Sequence, residues 1–330
     1  MSRIVRFHQT GGPEVLRIDE VEVRAPKAGE VRIAVKALGL NRTESMFRLG
    51  QYLEELSFPA RLGYEAAGTV EAVGAGVQGF RPGDVVSTIP AFSQKDYGVY
   101  GELALVPATA VVKHPASLSW EQAAALWMQF ATAYGALIDI AQVKAGDMVL
   151  IPAASSSVGL AAIQIANLVG AMPIGLTRTN AKRRQLLDAG AVHVIATEEQ
   201  DLVAEVKRLT GGKGARVAFD PVGGPTFSKL TAATAEHGIL FLYGALSPEP
   251  TPLPTIDLLD KSLTVRGYVL FEITRDPKRL EMAKRFILDG LASGKLNPII
   301  AKTFSGLDQI VEAHRYLESN QQVGKIVVTV

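Results

Sequence analysis

The chain contains no cysteine. That absence excludes a disulfide framework, a thiol nucleophile, an iron–sulfur cluster and any cysteine-containing zinc site. Histidine is scarce too. The five residues His8, His114, His193, His237 and His314 stand singly, never in the HxxxH or HExxH spacing that places two rings on one metal. They read as surface or strand-end residues, and no metal is expected. Neither sign of charge is in excess, because 34 basic residues face 33 acidic ones. A net charge of +1 gives no electrostatic reason for a nucleic-acid or anionic-membrane partner. No apolar run reaches the ~18 residues of a membrane span. The opening Met-Ser-Arg-Ile-Val-Arg-Phe-His lacks the apolar core of a secretion signal. A cytoplasmic protein is the reading that remains.

What is present is globular in composition, with 48% hydrophobic and 20% charged residues over 330 positions. Disorder is excluded as the dominant state, and the length suits two domains. The first hundred-odd residues carry short strand patterns, Val31–Leu38, Ala67–Val73 and Val85–Ile89, with a Pro-Gly turn at Gly79–Asp84. These predict a small, mostly β, barrel-like unit. From Ser119 the texture changes. Ser119 and Gln122 have capping-box spacing, and Ala123–Ile138 reads as one alanine-rich helix.

Strands and helices then alternate. Strands are predicted at Asp147–Ile151, Pro173–Leu176, Val192–Ala196, Ala215–Phe219, Gly238–Tyr243 and Ser262–Tyr268. Helices are predicted at Val158–Val169, Ala181–Ala189, Asp201–Leu209 and Pro225–Ala235 between them. Strands separated by helices of this length pair in parallel through crossovers, which makes a doubly wound α/β sheet. The end, with helices Pro277–Leu291 and Leu307–Leu317 and strand Gly324–Val330, leaves that rhythm and is expected to return to the first unit.

A doubly wound sheet binds ligands where a strand turns into a helix N-terminus. The literal GxGxxG, Gly74-Ala-Gly-Val-Gln-Gly79, is followed by a Pro-Gly turn where a helix should start, so it reads as a decoy. The sequence after Asp147–Ile151 breaks the pattern but has the context. There the fingerprint positions are Ala154, Ser156 and Gly159, all small, with Ser155, Ser157 and Val158 completing the turn. Backbone can approach a pyrophosphate closely, and the hydroxyls can add hydrogen bonds. The plain alternative is a serine-rich helix cap without a ligand. The ribose-reading position falls at Thr177-Arg-Thr-Asn180, which holds no carboxylate. Arg178, and Lys182 one helical turn later with Arg183 and Arg184 beside it, favour a 2′-phosphate and hence NADP(H) over NAD.

Together these residues resemble the zinc-free quinone oxidoreductase (zeta-crystallin-like) branch of the medium-chain dehydrogenase/reductase superfamily. The markers are Thr10–Leu16, Gly63-Tyr-Glu-Ala-Ala-Gly68, Val73–Asp84, Ala153–Gly159, Asp220-Pro-Val-Gly-Gly224 and Gly324–Val328. The resemblance covers essentially the whole chain. It implies a GroES-like β-rich catalytic domain, at 1–120 and 268–330, with a Rossmann NADP-binding domain at 121–267 inserted in it, and commonly a homodimer. The zinc-binding branch carries a cysteine where this chain has Leu40-Asn-Arg-Thr43, and Gly-His-Glu where it has Gly63-Tyr64-Glu65. The resemblance places Asn41 near the nicotinamide and Tyr52 in the substrate pocket. It puts Thr132, Tyr243, Gly244 and Val269 near the cofactor, and Asn320 where an arginine often helps hold it. Met46, Arg42 and Glu44 depart from the branch's usual residues.

The implied activity is NADPH-dependent hydride transfer to a small electrophile, a quinone or an α,β-unsaturated carbonyl, with a donor such as Asn41 meeting the developing oxyanion. Two other functions stay open: reduction of an enoyl thioester such as an acyl-CoA, and a non-catalytic, cofactor-binding structural or regulatory role.

Overall fold

The computed structural model describes residues 1–115 and 117–330. The chain divides into two units, Met1–Met128 with Pro298–Val330, and Gln129–Asn297.

The second unit is built on a six-stranded sheet. In chain order its strands are Met148–Ile151, Met172–Thr177, His193–Ala196, Ala215–Asp220, Thr234–Leu242 and Thr264–Gly267. Their spatial order is third, second, first, fourth, fifth, sixth, and every pair is parallel. This is the doubly wound order of dinucleotide-binding domains, and it reverses direction beside the first strand. Leu150, Ile174, Ile195, Ala218 and Leu240 from its strands meet Val206, Phe227 and Leu230 from its helices in one apolar core.

In the first unit, a mostly antiparallel sheet places Lys325–Thr329 between Ile300–Ser305 and the long strand Glu30–Leu40, followed by Glu65–Val73, Val85–Thr88 and Val111–Lys113. Leu103–Pro107 pairs with the start of Glu30–Leu40. A three-stranded sheet of Arg17–Val21, Ser2–Phe7 and Ala60–Arg61 completes the β-structure, none of whose strands the sequence patterns had marked.

Three expectations need correction. The expected helix Ala123–Ile138 is two helices, Trp120–Ala124 and Trp127–Tyr134, continuing into a wider π turn at Gly135–Ile140. The break falls where the Met128 N–H donates to the buried Glu65 carboxylate (2.8 Å), a partner no local pattern reveals. The return to the first unit comes at Pro298 rather than 268. Helix Pro277–Ala292 stays with the second unit because Arg279 pairs with Asp139 (2.5 Å) and Phe286 packs on Tyr134 (5.1 Å). Finally, His114 and His314 are core residues, 7% and 0% exposed. Burial pushes His314 down to about 3, so its ring is neutral.

Candidate functional site

In the second unit, the first strand ends at Ile151 and the chain turns into helix Ser157–Leu168. Ser156 is the N-cap, and its hydroxyl accepts the Gly159 N–H (3.0 Å). At any helix start the first N–H groups lack intrahelical acceptors, and together with the helix dipole they favour an anion. Gly159 is required by close approach, since a Cβ there would lie 2.7 Å from Ala154 Cα. Ala154 is fully buried and packs toward Gly175, so the exposed surface of the turn belongs to Ser155, Ser156, Ser157 and Val158.

One basic side chain reaches this turn, with the charge of a second, Arg178, near it. Lys182 Nζ donates to Ser155 Oγ (3.2 Å), and Lys182 is held below its ordinary value by burial and by the neighbouring Arg178 charge. Arg178 makes no ion pair among the described residues. Two cations side by side at the end of the second strand repel each other, and an incoming dianion relieves that repulsion. Arg183 and Arg184 do not join them. Arg183 donates to the Val194 carbonyl (2.9 Å), and Arg184 pairs with Asp188 (2.9 Å). Thr177 closes the strand beside them, its carbonyl accepting from Thr197 N–H (2.8 Å).

Past the fourth strand, Asp220 accepts from the backbone N–H groups of Val222 (2.8 Å) and Gly223 (3.1 Å), and burial pushes it up to about 6. Tyr243 stacks on Phe219 at 4.0 Å, and a Cβ on Gly244 would run into the Pro221 carbonyl at 2.5 Å. Val269 follows the sixth strand and is half-exposed, while Thr132 is buried in its helix.

In the first unit, Asn41 lies in a buried charged network. Lys325 Nζ donates to Asn41 Oδ1 (2.5 Å) and to Glu65. The Asn41 amide donates to Glu44 Oε1 (3.1 Å) and Glu65 Oε2 (3.2 Å), and its backbone N–H to Glu44 Oε2 (2.5 Å). Burial raises Glu44 to about 8 against the pull of Lys325. Both amide hydrogens are therefore spent on carboxylates, and Asn41 offers none to a substrate oxyanion, contrary to expectation. Asn320, after helix Ile310–Glu318, accepts from Arg42 (2.5 Å), which also donates to the Leu317 carbonyl.

Tyr52 lies in a second polar cluster of this unit. It packs edge-on against Phe47 (6.5 Å). Tyr64, fully buried, donates its only hydrogen to Glu54, whose other oxygen accepts from Ser93 Oγ. Burial and the adjacent carboxylate hold the Tyr64 phenol far above its ordinary range. Gly63 must be glycine here, because at φ +103° a Cβ would strike the Tyr100 ring at 2.1 Å.

Two family descriptions match the chain: "Alcohol dehydrogenase GroES-like domain" over residues 27–116 and "Zinc-binding dehydrogenase" over residues 157–289. Quinone oxidoreductase 1 of Escherichia coli (strain K12) is 33% identical over 331 residues, covering 98% of this chain and 98% of that protein. The chain belongs to the quinone oxidoreductase family. Within that family, the crystal structure of Escherichia coli quinone oxidoreductase complexed with NADPH superposes with a TM-score of 0.90 at 32% identity over all of both chains. The 2-haloacrylate reductase of Burkholderia sp is 31% identical over 329 residues, 98% of this chain and 97% of that protein. The fold is thus that of the medium-chain dehydrogenases/reductases, a GroES-like β-rich domain with a parallel Rossmann domain.

The zinc in one family description does not fit the residues found here. Tyr64 donates to Glu54, and the Lys325 ammonium already neutralises Glu65. No group of three or more His, Cys, Asp or Glu placed to hold a metal occurs among the described residues. No helix among them is long and apolar enough to cross a membrane.

Sequence reasoning missed Lys325, Glu54 and Ser93, and noted Glu44 only as a departure from the branch's usual residue. Lys325 had a signal, a lysine at the head of an otherwise apolar strand. Glu54 had none, since an acidic residue in a polar loop resembles any surface carboxylate.

Proposed function

We propose that this protein is an NADPH-dependent oxidoreductase that reduces a quinone or an α,β-unsaturated carbonyl without a metal. The observation that carries the reading is the Arg178–Lys182–Ser155 cluster beside a glycine-tight helix start, a place for a 2′-phosphate next to a place for a pyrophosphate. The similarity to an NADPH-complexed relative supports it. When bound, the nicotinamide supplies the hydride.

The chain contributes binding, orientation and electrostatics. Ser155–Val158 cradle the pyrophosphate, and Arg178 and Lys182 hold the 2′-phosphate. Thr132, Thr177, Tyr243, Gly244 and Val269 line the rest of the cofactor, while Tyr52 faces the substrate. Asn41 acts by position: locked to Glu44, Glu65 and Lys325, it sets the entry to helix Arg42–Arg48. Asn320 serves through Arg42.

The proposed protein is cytoplasmic and a homodimer. Thr264–Gly267 is the last strand of its sheet, Leu253, Ile256 and Leu259 ahead of it in the chain are exposed (62%, 78% and 73%), and a second copy pairing along that strand would close the edge by two-fold symmetry.

Initial rates of NADPH and NADH oxidation against a panel of quinones, enones and an enoyl-CoA test the reading. Turnover of quinones or enones with NADPH preferred is expected. Preference for the thioester moves the protein to enoyl reduction, and binding of NADPH without turnover of any acceptor leaves a structural or regulatory role.

A further inference from the structure

The six-stranded sheet reverses direction beside its first strand, whose neighbours are the second strand, ending at Thr177, and the fourth, ending at Asp220. A ligand of such a sheet lies in the crevice outside the strand ends at that reversal. Asp220 ends the strand at one wall of that crevice, with its side chain fully buried. Both its carboxylate oxygens are spent within the chain: Oδ1 accepts from the Val222 N–H (2.8 Å) and Oδ2 from the Gly223 N–H (3.1 Å). The turn they hold suits glycine, since Gly223 and Gly224 are both left-handed, at φ +67° and +64°.

That turn is knitted to the end of the fifth strand. The Tyr243 N–H donates to the Asp220 carbonyl (3.0 Å), the Ser247 N–H to the Val222 carbonyl (2.9 Å), and the Gly224 N–H to Thr251 Oγ1 (2.9 Å). The two strand ends form one hydrogen-bonded block, with Asp220 at its base and Tyr243 and Gly244, assigned above to the cofactor, within it. An amide or a carboxylic acid turns a hydrogen toward one of two facing N–H groups, whereas a carboxylate accepts from both. No lysine, arginine or histidine pairs with Asp220 among the described residues, and from the neighbouring strands and turns the titratable group facing it is the buried Tyr243 phenol. Burial pushes Asp220 up to about 6 against the pull of its two N–H groups, so the fold tolerates its charge rather than gaining from it. A carboxylate ionised at neutral pH against the interest of stability, at the wall of a ligand crevice, points to a use in binding.

We propose that Asp220 is a positioning residue whose carboxylate holds the Val222–Gly224 turn, and through it Tyr243 and Gly244, in the shape that takes NADPH. The inference rests on the oxidoreductase reading above. Protonation, or replacement by asparagine, releases one of the two N–H groups and lets the block relax. Cofactor affinity then falls while the apolar sheet behind the block stays folded.

The test compares Asp220→Asn with the wild type by titration calorimetry with NADPH and NADH between pH 5 and pH 8, beside thermal melting. At pH 8 the variant should bind NADPH about tenfold more weakly, yet melt within a few degrees of the wild type or above it. The difference should narrow to about twofold at pH 5, where most of the wild-type Asp220 is protonated too. The 2′-phosphate of NADPH titrates in the same range, but it does so with both proteins, and the ratio between them reads Asp220. A loss of affinity that comes with a large fall in melting temperature, at a ratio pH does not change, makes Asp220 a strut and overturns the proposal. So does a variant that binds NADPH like the wild type at pH 8. Should the variant fail to fold, the wild type decides alone. Its affinity for NADH, which carries no 2′-phosphate, should fall about fivefold from pH 8 to pH 5, and a flat profile overturns the proposal. A wild type that binds neither cofactor sinks the oxidoreductase reading and this inference with it, whereas failure against a wild type that binds NADPH leaves that reading standing.

Discussion

In the second unit, the residues assigned to the cofactor sit on the rim of an apolar core: Ser155, Ser156, Arg178 and Lys182 are part- or fully exposed, while Leu150, Ile174 and Leu240 behind them are sealed. In the first unit the order is inverted. Asn41, Glu44, Glu65 and Lys325 are all buried, at 7%, 0%, 1% and 1% exposure. A rim site can change without disturbing the fold that presents it. A site built from buried charges cannot, because every polar group removed leaves its partners without compensation in a low dielectric. Binding and stability should therefore separate under mutation in the second unit and move together in the first.

The largest effect is expected where the charge is deepest. Lys325→Met takes the ammonium from Glu65 and from the Asn41 carbonyl, leaving a buried charge without its counter-ion, and should cost about 3–5 kcal/mol, read as a lowered denaturant midpoint at unchanged m value. If stability is retained, the contrast between the units fails. Ser156→Leu comes next: a large side chain at the pyrophosphate turn should weaken NADPH binding at least about 100-fold by titration calorimetry, while the melting temperature stays within a few degrees of wild type. Arg178→Ala should cost about 1.5–3 kcal/mol of NADPH affinity, roughly one to two decades, and leave NADH binding unaltered. Equal losses for both cofactors would remove the 2′-phosphate from the argument. Smallest is Gly76→Leu. At φ +76° with open space around it, the substitution should strain its turn by about 1–2 kcal/mol and leave the NADPH dissociation constant as it was.

The substitutions at Ser156 and Gly76 also mark what the sequence made readable. The literal motif Gly74–Gly79 ends a strand without starting a helix, and Gly74 is glycine because a Cβ would strike the Lys27 carbonyl at 1.6 Å, a packing demand with no ligand in it. The looser Ala154–Gly159 has the helix, and the parallel pairing follows from the alternating pattern around it. Periodicity, turn residues and small side chains are local signals, so the second unit was largely legible.

The first unit was less so, because its chemistry depends on partners far apart in the chain. Glu65 splits a helix at Met128, and Glu54 reaches both Tyr64 and Ser93. The Asn41 amide looks like a donor until the carboxylates that occupy it are seen. Arg183 and Arg184, plausible phosphate ligands by spacing, are withdrawn by the Val194 carbonyl and Asp188.

Lys325 also sets an order of assembly. Strand Lys325–Thr329 pairs with the Ala37–Leu40 half of the long N-terminal strand, and its ammonium meets a carboxylate 260 residues earlier. On a ribosome adding about 5–20 residues per second, everything after Met128 takes roughly 10–40 s to emerge. The continuous stretch Gln129–Asn297 can complete its sheet within that interval. The N-terminal piece, made first, must hold an unpaired strand edge and an uncompensated Glu65 until residues 325–330 arrive. The inserted unit has time to finish before the one it interrupts, and the newborn chain is expected to be most exposed to edge-to-edge association while it waits.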